Sequence, residues 1–161
     1  MKPIDARIRA GKFEFSLAAV MQHPDGTTFK IIPADNRPVT KLRRFLIVCC
    51  KYFFYQHPHA NWTDWRDAWN AIKLEIPLLF DMVWAIDGTR QKATKSTAGY
   101  SKRKMQPIVD AIIALMDDQG LITPDPIAYD AWLQSAPPPG EEFPPLARLI
   151  DRYKQVRNDA L

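Results

Sequence analysis

The chain has 161 residues, of which 47% are hydrophobic and 25% are charged. This length is typical of a single domain with a substantial core, and the composition excludes disorder as the default state. The sequence contains no run of 18 apolar residues and no signal-peptide pattern, so we expect a cytoplasmic protein without a membrane partner.

The formal net charge of +4 is distributed unevenly along the chain. Residues 117–161 contain eight acidic and four basic residues, a balance of −4. Residues 1–116 contain the other 18 basic and 10 acidic residues, a balance of +8. This distribution favours a polyanionic partner for the first two-thirds of the chain.

A β-hairpin is predicted at the N-terminus. Phe13, Phe15, Leu17 and Ala19 alternate with other residues, which is the period of a half-buried strand. The segment 23–26, His-Pro-Asp-Gly, is typical of a turn, and residues 27–32 would form the returning strand.

A long basic helix is predicted from Asp35 or Asn36, as the cap, to about Tyr55. Its apolar residues recur at helical spacing, whereas residues 37–51 contain five basic residues and no acid. Such a helix face is unfavourable unless an anion lies opposite to it. Cys49 and Cys50 are neighbours that cannot readily bridge each other, so we expect two reduced, buried thiols.

A tryptophan-rich helix follows, with Thr63 as its predicted N-cap and an incomplete capping box, because Arg66 stands where Glu is usual. Trp62, Trp65 and Trp69 recur at spacings of three and four, which favours core or subunit contact over a ligand site. The helix is predicted to end near Pro77.

A second hairpin and a strongly basic stretch come next. Strands are predicted over 80–86 and 90–97, joined by the Asp87-Gly88 turn. Residues 87–104 contain six basic residues and one acid, with hydroxyl side chains between them and one aromatic residue, Tyr100. Cations and hydroxyls bind phosphate, and an aromatic ring stacks on an unpaired base. The stretch therefore predicts nucleic-acid contact; the alternative is a solvated basic loop.

The C-terminal part is predicted to be helical. Ser101 would cap a helix that ends at Gly120, a short helix would span 125–134, and a last helix would span 146–158. The proline-rich segment between the last two helices is a stiff spacer that places the final helix on the body or on another subunit.

These elements predict an α+β fold in which small β-hairpins pack with about five helices in a single domain. Residues 1–134 would form a mixed, DNA-binding-like domain, and residues 135–161 a proline-rich arm with the C-terminal helix. The predicted core residues are Phe45, Leu46, Trp65, Trp69, Ile108, Ile112 and Leu115.

No catalytic signature is present in the sequence, and we predict no cofactor and no metal. His57 and His59 have no obvious third ligand for a metal. Asp81, Asp87 and Lys95 are loosely the set that a metal-dependent nuclease needs, but the acid-x-Lys pair is missing after the first carboxylate. A nuclease is therefore a minor alternative.

The order of elements resembles the phage recombination proteins of the NinB/Orf type and related uncharacterised phage proteins. The resemblance covers residues 28–120 and rests on Asn36-Arg37, the helix KLRRFLIVCCKYFF, the helix WTDWRDAWNAI, the DG hairpin, and Lys95-Ser96-Thr97 before SKRKMQPIVDAIIALM. It implies a dimeric DNA-binding accessory protein that engages single strands and host single-strand-binding protein. Arg37, Arg43 and Arg44 match the basic helix entry of that group, and Lys95 and Ser96 match its post-hairpin stretch.

Two functions of different classes remain open. The first is a non-enzymatic, homodimeric DNA-binding accessory of phage or mobile-element recombination or replication, for single-stranded or branched DNA rather than a specific duplex. The second is a phage- or plasmid-encoded inhibitor or interaction protein that docks on an acidic host partner. The residues predicted to bind nucleic acid are Arg37, Arg43, Arg44, Arg90, Lys92, Lys95, Ser96, Tyr100, Lys102, Arg103 and Lys104.

Overall fold

The computed structural model describes residues 6–9, 12–15 and 38–160, and the chain divides into two compact units, 1–33 and 34–161. The described residues form five α-helices and two antiparallel hairpins. The protein is therefore α+β, as predicted. None of the helices described is both long and apolar enough to span a lipid bilayer.

In the first unit, β1 (Ala6–Arg9) pairs with β2 (Lys12–Phe15), and Ala6 lies opposite Phe15. β2 overlaps the start of the strand predicted over 13–19, but its partner is a strand that the sequence analysis did not predict. The predicted turn at 23–26, the returning strand at 27–32 and the helix cap at Asp35 or Asn36 lie outside the described residues.

The second unit is built around α1 (Pro38–Tyr55), which packs against three other helices. Buried side chains occur on most sides of its second half and include Val48, Tyr52 and Phe54 beside Cys49 and Cys50, which were predicted to be buried. A helix that is covered on several sides can be apolar nearly all round, which explains the run LIVCC.

α2 (Trp65–Glu75) has a different cap from the one predicted. The Asp64 carboxylate accepts a hydrogen bond from the Arg66 N–H at 2.7 Å, and Asp67 accepts from the Asp64 N–H at 3.4 Å. The capping box is thus complete, with Asp64 as N-cap. Thr63 lies one residue earlier and donates its N–H and hydroxyl to Asp67, which lowers the pKa of that carboxyl group. An aspartate is as good a cap as threonine or better, so the prediction of Thr63 was wrong by one residue.

A 3₁₀ turn (Pro77–Leu79) leads into the second hairpin, formed by β3 (Phe80–Trp84) and β4 (Arg90–Thr94). Both strands are shorter than predicted. The Gly88 N–H donates to the Ala85 carbonyl, and the Ala85 N–H donates to the Thr89 carbonyl. Gly88 has φ of 82°, so the loop is a β-turn closed by a left-handed residue, where glycine has no steric cost.

The C-terminal helices are α3 (Lys102–Asp118), α4 (Pro126–Gln134) and α5 (Pro144–Asp159). α5 packs on α1, with the rings of Phe54 and Tyr153 5.3 Å apart. Leu146 and Leu149 of α5 are buried in the core. The sequence analysis left two placements open for the last helix, on the body or on another subunit. The structure shows this helix packed on the body of its own chain.

The core agrees with the prediction only in part. Phe45, Leu46, Ile108 and Ile112 are buried, whereas Trp65, Trp69 and Leu115 are half-buried and pack against the edge of the core. Other fully covered positions include Ile72, Leu79, Met105 and Met116. The indoles therefore border the core, and part of Trp69 stays accessible at the surface.

Candidate nucleic-acid interface

An open groove of about 480 Å³ lies where α1, α2 and the chain after β4 meet. We call it the basic groove. It is lined by Arg43 of α1, Trp69 and Lys73 of α2, and Thr94, Lys95, Ser96, Thr97 and Ala98. This lining combines three cations, three hydroxyls and one indole, and it includes no carboxylate.

Arg43 joins two distant segments of the chain at the groove. Its Nη2 donates a hydrogen bond of 2.7 Å to the Thr97 carbonyl, 54 residues away, and the contact is partly buried. The bond uses one of the five guanidinium N–H groups and holds the segment 94–98 against α1. The groove is therefore positioned by the fold and not by a free loop.

Trp69 and Lys73 lie one turn apart on the same side of α2. The Lys73 ammonium is 5.5 Å from the centre of the Trp69 ring, within the range of a cation–π contact. Because Trp69 is half-buried, its packing against the core fixes the part of the ring that faces the groove.

Lys95 and Ser96 have local partners that leave capacity for a ligand. The Lys95 ammonium is 3.1 Å from a carboxylate oxygen of Asp81, and both side chains are substantially exposed. Exposed ion pairs of this kind contribute little, so an incoming phosphate can compete with Asp81. The Ser96 hydroxyl oxygen accepts the Ala98 N–H at 3.2 Å, and its own hydrogen remains a donor.

Arg90 and Lys92 lie on the hairpin and not in the groove. The Arg90 guanidinium is 5.7 Å from the Trp84 ring centre, and the Lys92 ammonium is 4.6 Å from that of Phe80. Lys92 also donates to the Leu74 carbonyl at the end of α2, which ties the hairpin to that helix.

The other predicted residues are spread over different surfaces. Lys102, Arg103 and Lys104 are exposed in the first turn of α3, and the Lys104 ammonium lies 5.3 Å from the ring centre of the half-buried Tyr100. Arg44 lies near Tyr129. Burial raises the pKa of Tyr129, and the positive charge of Arg44 offsets part of that rise. Arg37 lies outside the described residues.

The residues of the minor nuclease alternative do not converge. Asp81 is paired with Lys95, whereas Asp87 lies in the turn and accepts the Thr89 hydroxyl at 2.6 Å and the Thr89 N–H at 2.9 Å. Both bonds lower the pKa of the Asp87 carboxyl group, and the bond from the Thr89 hydroxyl has the larger effect. Asp81 lies near the start of β3 and Asp87 in the turn beyond its end, and no cluster of three His, Cys, Asp or Glu fit for a metal occurs in the part of the chain that is described.

The structure thus brings Arg43, Lys95 and Ser96 together with Thr94 and Thr97 of the predicted basic stretch, and it adds Trp69 and Lys73, which the sequence analysis did not assign to a site. Trp69 and Lys73 are four residues apart, which places them on one side of a helix and could have indicated a shared site. The sequence analysis had instead assigned Trp69 to the core. Comparison with protein-family models, with curated proteins and with solved structures finds no match to this chain. The resemblance to phage recombination proteins stays a prediction.

Proposed function

We propose that this protein binds nucleic acid through the basic groove and does not catalyse a reaction on it. The observation that carries the proposal is the lining of the groove, in which three cations, Arg43, Lys73 and Lys95, lie with hydroxyls and the Trp69 indole. Positive side chains supply the affinity for a phosphate backbone, and hydroxyls add hydrogen bonds to phosphate oxygens.

Single-stranded or branched DNA is the ligand that fits this surface best. The groove offers an aromatic ring beside its cations, and unpaired bases are the part of a nucleic acid that can stack on a ring. A sequence-specific reader would instead present several side chains on one element sized for the major groove. In the biological role that the resemblance implies, the protein is a homodimeric accessory of phage or mobile-element recombination, in contact with host single-strand-binding protein.

The test removes two groove cations. Lys73→Ala with Lys95→Ala should weaken binding to a fluorescently labelled single-stranded oligonucleotide, measured by anisotropy over a range of salt concentrations. If each lysine meets one phosphate, the log–log salt slope should flatten by about 1.4. The matched control is Arg152→Ala with Lys154→Ala, which removes the same charge from exposed positions on α5.

Equal effects of the two double variants would contradict the groove as the binding site. Absence of any salt-sensitive binding by the unaltered protein would contradict nucleic-acid binding itself and favour an acidic protein as the partner. Cleavage of the oligonucleotide that requires Mg²⁺ would contradict the non-enzymatic assignment.

A further inference from the structure

The β3–β4 hairpin exposes more apolar surface than a solvated hairpin would. Trp84 is 73% exposed, Met82 45% and Ile86, in the turn, is fully exposed. A large indole in water is costly unless a partner covers it part of the time, and exposed apolar clusters are typical of binding surfaces.

The strand register places Trp84 and Met82 on one face of the hairpin. Residues directly opposite each other across an antiparallel pair share a face, and positions two apart along a strand share it as well. Trp84 lies opposite Arg90, Met82 opposite Lys92, and Phe80 opposite Thr94. We call these six residues the hairpin face.

On the hairpin face, the apolar side chains of β3 lie beside the cationic side chains of β4. Arg90 lies over the Trp84 ring and Lys92 over the Phe80 ring, at the distances given above. The two carboxylates of the hairpin itself are engaged elsewhere, because Asp81 points to the opposite face and pairs with Lys95, and Asp87 bonds Thr89 in the turn. The face thus combines a ring for stacking with cations for phosphates.

The hairpin face continues into the basic groove. Thr94 belongs to both surfaces, and Lys92 reaches the carbonyl of Leu74, next to Lys73 of the groove. From Thr94 to Arg90 the strand extends roughly 13 Å, at about 3.3 Å per residue. A chain of phosphates held in the groove would therefore pass directly onto the hairpin face.

We propose that the hairpin face binds unpaired nucleobases, with Trp84 as the stacking platform, and so makes the protein selective for single-stranded nucleic acid. This inference rests on the proposed function of the basic groove. A second copy of the chain is a poorer occupant, since two such faces packed together would bring Arg90 and Lys92 of each copy near the same cations of the other.

The test compares two oligomers that carry equal charge: a 20-mer of thymidine and a 20-mer of abasic sites. The unaltered protein should bind the thymidine oligomer at least about fivefold more tightly, because stacking adds to the phosphate contacts. Trp84→Ala should remove most of this preference and leave the affinity for the abasic oligomer unchanged, because only Trp69 of the groove would remain for stacking, and Trp84→Tyr should restore most of it. Leu78→Ala, at another exposed apolar position outside the hairpin face, should behave as the unaltered protein.

The outcomes separate the two proposals. Equal, salt-sensitive binding of both oligomers by the unaltered protein would overturn the role of the hairpin face and leave only the phosphate contacts of the groove intact. Undiminished preference in Trp84→Ala would also overturn it. No binding to either oligomer would overturn the proposed function and this inference together. Dissociation of a dimer by Trp84→Ala would assign the hairpin face to a second copy and overturn the inference.

Discussion

At the scale of single residues, Cys49 and Cys50 show how burial removes chemistry from reactive groups. Both thiols are free and fully buried in α1. Burial raises the pKa of Cys49 to about 12 and also raises that of Cys50. Since the thiolate is the reactive form, the folded state protects these side chains in two ways: burial keeps reagents away from them, and the raised pKa keeps the thiols protonated.

We therefore expect the native protein to react very slowly with a thiol reagent at pH 8, where about one Cys49 in ten thousand would be ionised at a pKa of about 12. In concentrated guanidinium both cysteines should react at the rate of a free thiol. The measurement is the release of the chromophore from an aromatic disulfide reagent with and without denaturant. Rapid native labelling of either cysteine would show that α1 opens readily and would contradict its place at the centre of the core.

Adjacent residues can serve different surfaces, and this limits what the sequence predicts at this scale. Arg43 and Arg44 were predicted to act together, but successive residues on a helix point about 100° apart. Arg43 contacts Thr97 at the groove, whereas Arg44 lies near Tyr129 of α4. The charge pattern located the basic helix correctly; only the packing of α2 and α4 on α1 decides which side each arginine faces.

At the scale of elements, the helices of the second unit could largely be predicted because their ends have local causes. α1 begins at Pro38, whose missing N–H costs nothing in the first turn of a helix. Gly120 follows the end of α3 in the left-handed conformation, and Asp125 caps the start of α4 with its carboxylate. The burial of the indoles was not predictable in the same way. Trp65 and Trp69 follow the helical period, but their edge position depends on how far the neighbouring segments cover them.

The core of the helical unit can be tested with one substitution made at two positions. Ile112→Ala in α3 should lower the free energy of unfolding by about 2–5 kcal/mol, since Ile112 is fully buried and its loss leaves a cavity. Ile86→Ala in the hairpin turn should change it by less than about 0.5 kcal/mol, because that side chain is fully exposed. Urea denaturation followed by circular dichroism gives both values. Similar effects at the two positions would contradict the packing of α3 against α1.

At the scale of the whole molecule, the candidate site is assembled from segments that are far apart in the chain. Arg43, Lys73 and Lys95 come from α1, α2 and the end of the hairpin, and the contact between Arg43 and Thr97 brings them to one groove. The sequence alone indicated the basic helix and the basic stretch after the hairpin as separate features. It could not indicate that Lys73 joins them, because that depends on the packing of α2 against both.

The last prediction concerns self-association, for which the sequence offered the tryptophan-rich helix and the proline-rich arm. α5 lies on α1 of the same chain, so the arm is not free to provide a dimer contact through its buried side chains. The exposed side chains of Ile122 and Ile127 around the start of α4 remain as an apolar surface outside the hairpin face. We expect sedimentation velocity at tens of micromolar to give a mass near twice 18.5 kDa. Ile127→Lys should lower that mass, whereas Trp84→Ala should leave it unchanged, because the hairpin face is assigned to nucleobases. A monomer at all concentrations would contradict the dimer and remove one expectation that the family resemblance carries.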